Sequence, residues 1–64
     1  MEKYFVIVIQ NDTTIIMHDY SNKNQAYAEY HTELGYRDAS RTKTEACILD
    51  ANLNRIEYGV YIAD

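Results

Sequence analysis

Tyr4-Phe5-Val6-Ile7-Val8-Ile9 is apolar at six consecutive positions, and its reading decides the fold. The run is too short for a typical helix and rich in β-branched and aromatic side chains, so it predicts a strand. A strand buried on one face alternates polar with apolar residues; a run without a polar break is expected to be covered on both. The stretch therefore reads as the central strand of a sheet. One cover can come from the single helical stretch further along the chain. In a chain of 64 residues the expected source of the second cover is a partner subunit.

Outward from this strand, Gln10-Asn11-Asp12-Thr13 is a polar break with an Asn-Asp turn pair, and Thr14 to Tyr20 returns as a second strand, making a hairpin. A two-residue or a four-residue loop gives the same parity. Phe5, Ile7 and Ile9 are then expected to share a face with Ile16 and His18, and Tyr4, Val6 and Val8 the other with Ile15 and Met17. Ser21-Asn22-Lys23-Asn24 is a capping cluster, and the alanines, glutamates and leucine after it predict a helix from near Asn22 to about Asp38. Tyr27, Tyr30 and Leu34 form its apolar stripe with Ala26 and His31 at the margins, while Gln25, Glu29, Thr32 and Tyr36 face away. Gly35 weakens the last turn.

Lys43 to Leu49 alternates as a third strand, and Asp50-Ala51-Asn52-Leu53-Asn54 is a loop whose two asparagines suit left-handed positions. Arg55 to Ile62 is the fourth strand, with Ile56, Tyr58, Val60 and Ile62 on one side. The fold class expected is α+β, a ββαββ chain forming one domain over residues 1–64. Its four-stranded antiparallel sheet takes the order 2-1-3-4, which keeps all neighbours antiparallel and the most apolar strand inside, and one helix packs on one face. No repeat, linker or low-complexity segment interrupts it, and proline is absent.

Composition bounds the stability and the function. Sixty-four residues lie near the lower limit at which a core holds a fold without metals, disulfides or oligomerisation. The single cysteine, Cys47, excludes an internal disulfide or a multi-cysteine zinc site, and His18 and His31 lack a tight ligand constellation, so no metal or other cofactor is expected. Self-association is the remaining source of stability. The formal charge of −4 comes from scattered acidic residues, which argues against a nucleic-acid binder. Met1-Glu2-Lys3 runs straight into the first strand, so a soluble, cytoplasmic product without a signal peptide or membrane span is expected. Seven tyrosines read mostly as amphipathic core edge, with interface contact for the rest.

The chemically varied stretch is the end of the helix and the connection after it. Arg37, Ser40, Arg41 and Lys43, with His31 and Tyr36, could gather around a phosphate or carboxylate, because guanidinium forks match such oxygens. The simpler alternative pairs Glu33 with Arg37 at i,i+4 and leaves Arg41 solvated. His31 reads as a hydrogen-bonded boundary residue rather than a general base. His18 and Asp19 are neighbours in a strand and point to opposite faces, so they make no dyad. Cys47 reads as a buried structural thiol. With no nucleophile-base pair, metal constellation or glycine-rich phosphate loop, an enzyme is not expected.

Lys3-Tyr-Phe-Val-Ile-Val-Ile-Gln-Asn-Asp, then His31-Thr-Glu-Leu-Gly-Tyr-Arg37, then Ile48-Leu-Asp together resemble a group of small uncharacterised proteins from phages and mobile elements of gut Firmicutes. The resemblance carries over no functional residue. It implies a setting in which small acidic proteins act as counter-defence inhibitors of bacterial immune components or as phage accessory factors. Three readings arise: a stoichiometric binding protein acting on a host protein, an oligomeric sponge for a small anionic signal such as a cyclic nucleotide, and a structural subunit of a phage particle. For self-association, the bulkier Phe5 side is assigned to the helix, and Tyr4, Val6, Val8, Ile15 and Met17 to a homo-oligomer contact.

Overall fold

The computed structural model describes residues 3–36 and 39–63. Strands β1 (Tyr4–Gln10) and β2 (Thr14–Tyr20) form a hairpin, helix α1 (Lys23–Gly35) crosses over, and β3 (Lys43–Leu49) and β4 (Arg55–Ile62) form a second hairpin. The sheet runs β2-β1-β3-β4 with every neighbouring pair antiparallel. This is the α+β architecture, strand order and central strand that the apolar run predicts.

Helix α1 starts where Asn22, in extended conformation, accepts hydrogen bonds at Oδ1 from the backbone N–H of Asn24 and Gln25, at 2.8 and 3.4 Å. It stops at Gly35, because Tyr36 is already extended, with φ −68 and ψ 126. The expected helix end near Asp38 lies outside the described residues, as does Arg37. The asparagines of the β3–β4 turn are not its left-handed residues; Leu53 is, at φ 64. Asp50 dictates that geometry, its Oδ1 accepting from the N–H of both Asn52 and Asn54 at 2.9 Å.

The first hairpin turns on three residues. Gln10 pairs with Thr14, Asn11 and Asp12 both lie in the left-handed region (φ 55 and 61), and Thr13 N–H donates to Gln10 O at 3.1 Å. An odd loop puts residues of equal parity opposite each other. Val8 faces Ile16 and Val6 faces His18, while Ile9 faces Ile15 and Ile7 faces Met17. An even loop exchanges these partners, and Thr13, as an extra turn residue, is what makes the loop odd.

The helix lies over β1 and β3. It covers the Tyr4, Val6, Val8 side and not the Phe5 side, which reverses the expected assignment. The core beneath it is Val6, Val8, Ala26, Tyr30, Ala46 and Ile48, fringed by Tyr4, Ile16, Tyr20, Tyr27 and Leu34. The reason is volume. Ala46 pairs with Gly59 across β3 and β4, leaving a flat patch into which the Tyr30 ring descends. A β-carbon built on Gly59 would lie 2.5 Å from Tyr30 Oη and 2.6 Å from Leu34 Cδ1. The slimmer face of the sheet therefore takes the bulky side chains of the helix.

Two consequences can be measured by chemical denaturation. Gly59→Ala should lose about 1–3 kcal/mol by overpacking, and should cost less when introduced into a Leu34→Ala background, where one of the two clashing side chains is gone. Gly35→Ala, where a β-carbon meets nothing within 4 Å, should instead gain up to about 1 kcal/mol of helix propensity. Asn11 joins the hairpin to the approach of β3: its Nδ2 donates to Ser40 O at 2.7 Å, and its Oδ1 accepts from Thr42 N at 2.8 Å and Lys43 N at 3.1 Å. Asn11→Ala should cost roughly 2–4 kcal/mol, and Asn11→Gly about 1 kcal/mol less because glycine keeps the positive φ without strain.

Candidate interaction surface

The face of the sheet away from the helix is arranged in cross-strand rows. The middle row reads Met17, Ile7, Cys47, Tyr58 across β2, β1, β3 and β4. On one side of it lies Ile15, Ile9, Glu45, Val60, and on the other Asp19, Phe5, Leu49, Arg55. Ile62 and Lys43 extend one end. Ile15 is 69% exposed, Met17 63%, Ile62 64% and Val60 43%. The apolar surface is thus continuous over four strands, and its charges sit towards the ends of the strands.

Those charges are partnered within the chain. Lys3 Nζ meets Asp19 at 3.1 Å, and Lys43 Nζ meets Asp12 at 3.2 Å and Glu45 at 3.1 Å. The hydrogen bond and charge of Lys3 hold the Asp19 carboxyl below its usual range, and the hydrogen bonds of Glu45 and Asp12 hold Lys43 above its own. The Arg55 guanidinium lies 4.8 Å from the Tyr58 ring centroid, a cation–π contact at the rim.

Of the residues expected at an oligomer contact, Ile15 and Met17 lie on this bare face. Val6 and Val8 are fully buried under the helix and cannot reach a partner from a folded chain, and Tyr4 is half-buried at the edge of that core, on the helix side of the sheet. The exchange is a direct result of the loop parity. A Val6→Lys change would strike the core rather than an interface.

The expected anion cluster does not converge among the described residues. Arg41 is not solvated: its Nη1 donates to Glu33 Oε1 at 2.9 Å, with side chains only 16% and 22% exposed, and its guanidinium stacks 4.3 Å from the centroid of the Tyr36 ring. Glu33 therefore pairs with Arg41, where helical spacing points it at Arg37, a residue outside the described set. Lys43 lies in the row pattern of the bare face, whereas Arg41 reaches the helix on the opposite side. His31 is exposed and packs its ring 5.1 Å from that of Tyr30, edge to face. Arg41 and Lys43 both already hold carboxylates, so an incoming anion would have to displace them.

Cys47 is half-buried on the bare face, where full burial was expected. Burial pushes its thiol up, with the Arg55 charge opposing, so at neutral pH it is a protonated and poor nucleophile. A shallow open depression of about 240 Å3 lies at the chain end of β1, lined by Lys3, Tyr4, Asp50, Ala51 and Asn52. It is smaller and more polar than typical ligand sites. Among the described residues there is no group of three or more His, Cys, Asp or Glu that could hold a metal, and no helix is long and apolar enough to cross a membrane.

Comparison with protein-family models, with curated proteins and with solved structures finds no match in any of the three.

Tyrosines on the helix side make stability pH-dependent at the alkaline end. Burial raises Tyr30, and burial together with the Glu29 carboxylate, which accepts from Tyr20 Oη at 3.2 Å, raises Tyr20. The folded chain therefore keeps these protons where the unfolded chain loses them. Their stabilisation is complete below pH ~10 and is lost as pH rises through the higher folded values. Denaturation midpoints should fall above pH ~10, with tyrosinate absorbance appearing together with unfolding; Tyr20→Phe should flatten its share of the slope.

Proposed function

We propose that this chain is a non-enzymatic binding protein that works by stoichiometric association through the bare face of its sheet. The observation that carries the reading is the apolar surface spanning all four strands, with Ile15, Met17, Val60 and Ile62 open to solvent. Monomeric soluble proteins seldom leave so extended an apolar patch uncovered unless it is a contact surface. The side chains best able to do chemistry support the same reading by their commitments: Arg41 to Glu33 and Tyr36, Lys43 to Asp12 and Glu45, and Cys47 held protonated.

Inhibition of a bacterial immune component is the specific form of this reading that the resemblance to phage and mobile-element proteins suggests. The sponge reading is weaker, because Arg41 and Lys43 approach the sheet from opposite sides and each is already neutralised.

The reading is tested by incubating the protein with panels of nucleotides and peptides at substrate excess. No more than one equivalent of any substrate should be consumed or retained per chain, and multiple turnovers of any substrate overturn it.

A further inference from the structure

Two of the three rows of the bare face, Met17-Ile7-Cys47-Tyr58 and Asp19-Phe5-Leu49-Arg55, are complementary to themselves when reversed. We propose that the face is covered by a second copy of the chain, stacked sheet on sheet about a two-fold axis that runs along the strands between β1 and β3. The proposal rests on reading this face as the association surface.

Under that axis β2 lies over the partner's β4 and β1 over its β3, each row meeting itself reversed. Met17 then faces Tyr58 and Ile7 faces Cys47, while Ile15 faces Val60 and Phe5 faces Leu49, each pair formed twice. At the rim, Asp19 of each copy, held at 3.1 Å by Lys3 of its own chain, comes over Arg55 of the other. Apolar thus meets apolar and carboxylate meets guanidinium. Glu45 faces Ile9, but its carboxylate is held at 3.1 Å by Lys43 of its own chain, so it enters the contact already paired. The other two-fold that stacks these faces, perpendicular to the strands, lays one outer row over the other. Glu45 meets an apolar side chain under either axis, but this one also lays Arg55 over Val60 and Asp19 over Ile15, and so gives up the contact between carboxylate and guanidinium. The register therefore selects the axis along the strands. Aligned stacking of two twisted sheets, offset by about −30°, is a standard way to close such a layer.

Size favours a copy over another protein. The face is four strands of seven or eight residues, a flat footprint of roughly 450 Å2 at ~4.8 Å between strands and ~3.3 Å per residue. Side-chain relief enlarges that towards the ~800 Å2 per partner of stable interfaces. Among the described residues the core holds six buried apolar side chains, two of them alanine. A fold that gains so little from one face is stabilised by whatever covers the other. A second copy is the partner present whenever the chain is made.

Sedimentation equilibrium tests this on the full chain. The wild type should run at twice its 7.5 kDa mass, and Val60→Glu should run as a monomer, whereas His18→Glu, on the helix side of the same sheet, should remain a dimer. If Val60→Glu fails to fold, charge exchange at the rim decides: Asp19→Arg and Arg55→Asp should each weaken the dimer about 10-fold or more by like-charge contact, and the double exchange should bind more tightly than either single one, where a non-coupled pair would be weaker than both. A wild-type monomer overturns the second copy while leaving the turnover test of the binding reading intact. A dimer indifferent to Val60→Glu, or a double exchange no tighter than the single ones, overturns the stacking.

Discussion

One helix has to serve a sheet with two apolar faces, and the rest of the structure depends on that shortage. Helix α1 is 13 residues long, about 20 Å at 1.5 Å per residue, and can cover one side only. Which side it covers depends on depth. The Tyr4 side carries valines, an alanine and Gly59 under the helix, so the backbone comes close and Tyr30 and Leu34 fill the gap. The Phe5 side already carries its own bulk in Phe5, the isoleucines, Met17 and Tyr58, which would hold a helix away from the sheet. Packing density inside proteins leaves little room for compromise between the two.

The choice is transmitted through the first turn. Asn11 and Asp12 adopt positive φ, Thr13 adds the residue that makes the loop odd, and Ile16, His18 and Tyr20 then stand beside Val8, Val6 and Tyr4 on the helix side. Asn11 also receives the chain that returns from the helix, bonding Ser40, Thr42 and Lys43. The same residue therefore takes part in the first turn and anchors the start of β3. Lys43 adds to that junction through Asp12 and Glu45, at the edge of the bare face rather than on the helix side.

For function, the consequence is a division of labour between the two sides. The helix side pairs several of its polar groups internally, Tyr20 with Glu29 and Arg41 with Glu33, and sets the rings of Tyr27, Tyr30 and His31 edge to face. Its tyrosines mostly seal the margin of a small core. The opposite side exposes apolar surface to solvent, which is unfavourable unless something covers it. Its charged side chains are paired within the chain, Asp19 with Lys3 and Glu45 with Lys43.

The sequence by itself determined the elements and their order. Six apolar residues in a row mark the centre of a sheet, a capping cluster marks the helix start, and alternation marks β3 and β4, because each of these signals is local. It also carried the double apolarity of β1. What only the tertiary structure decided was which face is which. That depended on a single turn residue, Thr13, and on the fit of Tyr30 over Gly59, contacts between positions far apart in the chain. The pairing of Arg41 was hidden for the same reason. Helical spacing points Glu33 at Arg37, but the returning chain brings Arg41 to it, and the Coulomb partner of a charge is set by distance in space, which the order of residues does not specify.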